Sequence, residues 1–387
     1  MYNFSMPDLN KKALELHRRA RGKIDIVGKV LLESRKDLNL AYTPGVAAVS
    51  LAIAKNRKRV FDYTIKSNAV AVVTDGSAVL GLGNIGPEAA LPVMEGKCLI
   101  FKTFGRITAW PIALATQDVD EIVRTVKNIS PLFGGINLED ISAPRCFEVE
   151  ERLKKILDIP VFHDDQHGSA IAVLAGLINA LKVVGKNISR VKIVISGAGA
   201  AGMATAKLLL KYGAKNIVML DRKGAIYEGR GNLDKHKKEI ARRTNKKRER
   251  GGLDEVIRGA DVFIGVSAPK ILTEETAREM AGGAIIFAMA NPVPEIMPDQ
   301  AHKAGARIVA TGRSDFPNQI NNSLVFPGLF RGLLDVRAKT ITDEMKIRAA
   351  EALAGLVKKP SEKNIIPGMF DGRVVPAVAK AVRNWYN

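Results

Sequence analysis

Cysteine, glutamine and long apolar runs are what this chain has least of. Cys98 and Cys146 are its two cysteines, too few for a disulfide framework, so a reducing compartment is expected and the cytoplasm is the default. The longest apolar stretch, residues 170–181, contains Asn179 and falls short of the roughly 20 residues that cross a bilayer, which argues against a membrane partner. The first 21 residues have no apolar core of the signal-peptide kind, since Lys11, Lys12, Arg18, Arg19 and Arg21 alternate there with Leu and Ala. Four glutamines beside 59 Lys and Arg are a weak mark of a heat-adapted source.

A formal charge of +19 is the compositional outlier. Taken alone it fits nucleic acid, an anionic membrane or a small anionic substrate. The densest basic segment, residues 235–250, lacks the interleaved aromatics on which bases stack, so it reads as a solvated helix face and no nucleic-acid partner is expected.

At 387 residues the chain is too long for one core. Apolar periodicity predicts one or two amphipathic helices over 8–32, a Pro-Gly loop at 42–46 and a helix over 48–57. A strand over 68–74 reads as buried on both faces, and short αβ units continue to Pro160. A long helix over 169–184 then opens a regular series, with strands at 191–196, 217–221, 261–266, 284–290 and 307–311. Helical patterns at 342–358 and 374–383 close the chain. The expected fold is α/β, with an N-terminal α/β catalytic domain over 1–160. A C-terminal Rossmann-like domain with a doubly wound parallel sheet follows over 161–387.

Two segments match G-x-G-x-x-G. In Gly197-Ala198-Gly199-Ala200-Ala201-Gly202 a strand precedes the turn, a helix follows it and Asp221 ends the next strand, which is the dinucleotide context. These residues would cradle a pyrophosphate at the helix N-terminus, while Asp221 would meet the adenosine ribose. Asp221 argues for NAD, but Arg222 and Lys223 beside it suit the 2′-phosphate of NADP. The second match, Gly81-Leu-Gly83-Asn-Ile-Gly86, follows Thr74-Asp-Gly-Ser77 and lacks an acid at the proper distance. It is rejected as a nucleotide site, and its glycines are read as allowing close approach by a substrate or a neighbouring element.

Glu139-Asp140 and Asp164-Asp165 each stand just past an expected strand end, on either side of a helical segment. Two acidic pairs in apolar, Gly-bounded surroundings are costly to bury unless a cation neutralises them. An oxygen-only donor set suits Mg²⁺ or Mn²⁺. His163 and His167 raise a zinc reading, but no cysteine or third histidine is near and HExxH is absent; bonding to carboxylates or helix capping is preferred.

With these residues in place, Tyr42-Thr-Pro-Gly-Val46, Thr74-Asp-Gly-Ser77 with Leu80-Gly-Leu-Gly-Asn-Ile-Gly86, Gly96-Lys97, Asn137-Leu-Glu-Asp140 and Phe162-His-Asp-Asp165-Gln-His-Gly together resemble the malic enzyme family in its short prokaryotic form. The resemblance runs from about Asn39 to Val378. It implies Tyr42 and Lys97 as catalytic residues, Glu139, Asp140 and Asp165 as metal ligands, and Asp164 as a carboxylate adjoining them. Asn291 and Asn321 match positions that hold substrate or the nicotinamide end, with Asn322 as the alternative to Asn321, and Ser77 is a further candidate substrate contact. Longer relatives carry an arginine two residues beyond Thr-Asp-Gly, where this chain has Ser77-Ala78, so the distal carboxylate of the substrate must be held differently.

The implied reaction is oxidative decarboxylation of (S)-malate to pyruvate and CO₂ with NAD or NADP. In it Lys97, if its pKa is lowered by desolvation and neighbouring positive charge, accepts the hydroxyl proton, and Tyr42 protonates the enolate. A homodimer or higher homo-oligomer through the N-terminal helices is expected, and no phosphotransacetylase-like control module. The rival readings are a nicotinamide dehydrogenase that releases no CO₂ and a non-enzymatic nucleotide-sensing protein that binds polyanions.

Overall fold

The computed structural model describes residues 7–79 and 81–386. A run of Ala and Val at 69–74 forms β1, buried on both faces as a continuously apolar parallel strand must be. With β2 (Thr108–Ala113), β3 (Gly135–Leu138) and β4 (Val161–His163) it makes a parallel sheet of order β2-β1-β3-β4. Pairing of Ile136 with Val161 and of Leu138 with His163 puts β4 in this first sheet, so the expected division between residues 160 and 161 falls one strand too early.

The second sheet has the order β10-β9-β8-β5-β6-β7. Its strands are β5 (Lys192–Ser196), β6 (Asn216–Asp221), β7 (Gly224–Ala225), β8 (Val262–Gly265), β9 (Ile285–Ala288) and β10 (Ile308–Thr311), all parallel except β7 on β6. The order reverses at β5, flanked by β6 and β8, so a crevice opens beyond the carboxyl end of β5, where open α/β sheets bind ligands.

The helix Asp164–Val184 joins the two sheets. It begins five residues before the expected start, which puts Asp164 and Asp165 in its first turn, at the positive end of the helix dipole. Its length of 21 residues and mean hydropathy of 1.6 would suit a membrane span, but most of it is buried inside the protein. One apolar core runs from Val70 and Val72 of β1, through Ile171, Leu174 and Leu177 of this helix, to Ile193 and Ile195 of β5. The helix Asp343–Leu356 packs against it from the C-terminal part.

The N-terminal segment departs from this compactness. The helix Pro7–Ala20 stops where Arg21 and Gly22 turn left-handed, so residues 23–34 are not helical as the periodicity over 8–32 suggested. The helices Arg35–Ala41 and Val46–Lys55 bury no residue. Leu14, Val27, Val30, Leu31 and Leu40 stand exposed along this arm. Lys23 ties it to the body, through its N–H on Glu95 at 3.1 Å and its ammonium on the Pro92 carbonyl at 2.6 Å.

Asn179, fully buried mid-helix, donates to the carbonyls of Ala354 and Ile365 at 2.8 and 2.9 Å. Replacing it by alanine removes that donor from both carbonyls; Ala354 keeps the Val357 N–H at 3.2 Å, so the loss falls on Ile365, at about 1–3 kcal/mol for a buried unsatisfied group. Asn179→Ala is expected to lower the melting temperature by about 2–4 °C in calorimetry; an unchanged melting temperature would contradict this account of the bond pair.

Candidate active site

Three chain segments converge on one buried lysine. Lys97, 7% exposed, comes from the helix Pro87–Gly105; its ammonium donates to Glu139 Oε1 and, at 2.5 Å, to Asp164 Oδ2. The same ammonium lies 4.7 Å from the centroid of the Phe326 ring. Glu139 sits just past β3, where Asn137 Nδ2 donates to its second oxygen at 3.0 Å. Asp140 takes a left-handed backbone with φ 53°, a conformation Asp tolerates better than most residues. Its N–H reaches Asp165 Oδ2 at 2.8 Å and its carbonyl accepts from Ala78 at 2.9 Å. Glu139, Asp140 and Asp165 thereby bring one oxygen each to within 4.8 Å of one another.

Burial sets the charge balance of this cluster. It pushes the Asp164 carboxyl up to about 7 against the pull of Lys97, and raises Glu139 and Asp165 in the same way. For Lys97 burial favours the neutral amine, but Asp164, Glu139 and Asp165 outweigh it and hold the proton more tightly than usual. Carboxylates alone therefore face Lys97 here, and the expected lowering of its pKa would require a cation among them.

His163 and His167 are not joint ligands. His163 Nδ1 lies 3.8 Å from Asp165 Oδ2, while His167 Nε2 meets Glu150 at 2.9 and 3.0 Å. Burial lowers both imidazoles, His167 to about 4. Buried Glu150 also accepts the His163 N–H at 3.2 Å, Gln166 Nε2 at 3.3 Å and Lys154 Nζ at 2.7 Å. It therefore braces the turn that carries Asp164 and Asp165. Sequence reading missed Glu150, because one acid within a helical run carries no signal of its own.

The loop after β1 is braced similarly. Asp75, fully buried, accepts from the Ser77 N–H at 2.9 Å, the Ser77 hydroxyl at 2.5 Å and Arg145 at 3.1 Å. The Ser77 hydroxyl in turn accepts the Ser142 N–H at 2.9 Å. Ser77, expected as a substrate contact, thereby also fixes the loop beside Asp140.

In the second sheet, β5 runs into Gly197 with φ 119°, where a Cβ would lie 2.6 Å from the Val266 carbonyl oxygen. A Cβ at Gly202 would collide with the Gly197 carbonyl, while at Gly199 the space is open, as backbone meeting a pyrophosphate requires. Ala198 precedes Gly199, which caps the helix Ala200–Tyr212, so Ala200, Ala201 and Gly202 form its first turn. Asp221 ends β6 with Arg222 exposed beside it.

The rejected glycine turn also finds its use. A Cβ at Gly81 would collide with the carbonyl of Asn291, so this loop of the first sheet packs on the loop after β9. Gly312 leaves room on the other side, where a Cβ would lie 2.7 Å from Asn291 Nδ2. Buried Glu295 accepts the N–H groups of Ser267 at 3.0 Å and Ala290 at 2.9 Å, fixing the approach to Asn291.

Asn321 uses its side-chain oxygen to accept the Ser323 N–H at 2.9 Å. Its neighbour Asn322 packs near the first turns of the helix Asp164–Val184: a Cβ on Gly168 would lie 3.0 Å from the Asn322 Cβ and would collide with Asp164. Tyr42 is not gathered into the cluster. It ends the helix Arg35–Ala41 with 66% of its surface exposed, and none of the hydrogen bonds or ion pairs of Lys97 among the described residues involves it.

Comparison with known proteins agrees with this geometry. The family profiles described as "Malic enzyme, N-terminal domain" and "Malic enzyme, NAD binding domain" match residues 21–154 and 166–384. The "Bifunctional malic/malolactic enzyme" of Bacillus subtilis is 60% identical over 377 residues, 97% of this chain and 92% of that protein. The "NAD-dependent malic enzyme" of Geobacillus stearothermophilus is 55% identical over 93% of this chain and 76% of its own length. Among solved structures, the NAD-dependent malic enzyme of Thermotoga maritima superposes with a TM-score of 0.93 at 50% identity, covering 96% of this chain and 98% of that one. This chain belongs to the malic enzyme family.

Proposed function

We propose that the protein oxidatively decarboxylates (S)-malate to pyruvate and CO₂, reducing NAD or NADP, with Mg²⁺ or Mn²⁺ held by Glu139, Asp140 and Asp165. The supporting observation is three converging carboxylates beside Lys97, together with a dinucleotide turn where the order of the second sheet reverses. The donor set fits a hard divalent ion, for it is all oxygen, and the burial of Glu139 disfavours its anion in the absence of a cation. A bound ion there supplies electrostatic stabilisation of oxygen charge developing on the substrate.

The chain's own residues supply the proton steps in this reading. Lys97 Nζ, once it has passed its own proton to Asp164, accepts the proton of the 2-hydroxyl as hydride leaves for the nicotinamide. A cation held by Glu139, Asp140 and Asp165 would offset the negative charge that keeps the Lys97 proton in place. Asn291 and the Asn321–Asn322 pair orient substrate and nicotinamide. Tyr42 returns a proton to carbon after CO₂ departs. The division between catalytic and coenzyme units falls at the start of the helix Asp164–Val184.

Tyr42 needs a cover that one chain does not provide, and we infer a homodimer. The exposed apolar side chains of the N-terminal arm would be buried against a second copy, which would also desolvate Tyr42. We place the enzyme in the cytoplasm, consistent with free and buried Cys98 and Cys146.

The assay is malate-dependent reduction of NAD and NADP in parallel, with CO₂ measured. Reduction with CO₂ release that Mn²⁺ supports and chelation abolishes is expected; reduction without CO₂ would refute decarboxylation. Lys97→Ala should lower kcat by about 10²–10⁴-fold, the usual contribution of a positioned acid–base group. A variant that is folded by circular dichroism and fully active would remove Lys97 from the mechanism. Light scattering should give twice the 41.9 kDa chain mass, and a concentration-independent monomer would rule out the dimer.

A further inference from the structure

The ribose end of the coenzyme crevice carries a charge arrangement that the dinucleotide pattern does not require. An acid at the end of the second strand ordinarily accepts the ribose hydroxyls, and its free charge repels a 2′-phosphate. At Asp221 one oxygen carries two cations and the other a backbone donor. Oδ1 accepts the Lys223 N–H at 2.9 Å, while Oδ2 accepts Arg230 Nη2 at 2.5 Å and Lys237 Nζ at 2.9 Å.

Arg230 is itself fixed. Its Nη1 donates to the carbonyls of Gly224 and Ala225 at 2.9 and 3.0 Å, in the turn where β7 folds back on β6. Lys237 projects from the helix Lys235–Arg243, whose first turn is capped by Asp234. Part of the basic segment that reads as a solvated face therefore points at the end of β6. Arg222 and Lys223 are exposed beside it, and neither side chain forms an ion pair among the described residues.

Two cations thus neutralise one carboxylate, and two more, Arg222 and Lys223, follow it directly in the chain. Ribose hydroxyls that engage both carboxylate oxygens would have to displace Arg230 or Lys237 from Oδ2. A phosphate dianion needs no such exchange, because the guanidinium and the ammonium groups are donors to it.

We propose that the Asp221–Arg230–Lys237 cluster, with Arg222 and Lys223, makes this subsite one for a 2′-phosphorylated ribose, so that NADP is preferred to NAD. The proposal rests on the coenzyme reading given above and names which coenzyme that site takes. Asp221 serves in it as the anchor of a cationic cradle and not as the ribose acceptor.

Direct binding separates the two readings. The whole protein, without malate or metal, is titrated calorimetrically with NADP⁺, NAD⁺ and 2′,5′-ADP. NADP⁺ is expected to bind about tenfold or more tightly than NAD⁺, a difference that shrinks as salt is added. Arg230→Ala and Lys237→Ala should each weaken NADP⁺ and 2′,5′-ADP by about tenfold, while NAD⁺, now able to reach Asp221, holds or gains affinity. Retained NAD⁺ binding also shows that each variant is folded, and Lys237→Ala serves if loss of Arg230 unfolds the β6–β7 turn. Tighter or equal binding of NAD⁺ by the unaltered protein, or a parallel loss of both coenzymes in both variants, overturns the proposal alone. Failure to bind either coenzyme overturns the coenzyme reading with it.

Discussion

A single buried ammonium organises the catalytic side of this molecule. Lys97 bridges Glu139 and Asp164, which belong to the end of β3 and the first turn of the helix Asp164–Val184, so three elements share one charge balance. An isolated buried carboxylate is costly, and several close together are more so unless positive charge faces them. With Lys97 in place the remaining carboxylate oxygens can converge from Glu139, Asp140 and Asp165 without being dispersed by repulsion.

The helix Asp164–Val184 carries that chemistry into the fold. Its first turn presents two acids where the helix dipole favours negative charge, and its body is the apolar wall shared by both sheets. The two halves of the site therefore stand on one rigid rod. Glu150 steadies the first turn from behind, while Asp75 and Ser77 steady the loop that meets Asp140.

The two glycine turns show why pattern needs context. Gly197–Gly202 and Gly81–Gly86 have the same spacing, but one follows a parallel strand at the place where the sheet order reverses. The other lies against the Asn291 carbonyl across the crevice. The strand before the turn and the acid at the end of β6 were readable because they depend on local spacing. The contact of Gly81 with Asn291 was not, because it joins loops more than two hundred residues apart in sequence.

Sequence by itself determined the alternation of strands and helices, the dinucleotide turn, the family resemblance and the three acids expected to converge. Period, turn chemistry and motif spacing are local properties, and each of these rests on them. Tertiary structure alone decided that Lys97 is ringed by carboxylates, that the Ser77 hydroxyl bonds to Asp75 and Ser142, and that Tyr42 stands exposed. It likewise decided that β4 belongs to the first sheet and that Arg230 and Lys237 hold Asp221. The physical reason is distance along the chain: Lys97 meets partners 42 and 67 residues away. The charge state of a buried group follows from which side chains packing brings to it, and no local pattern encodes that.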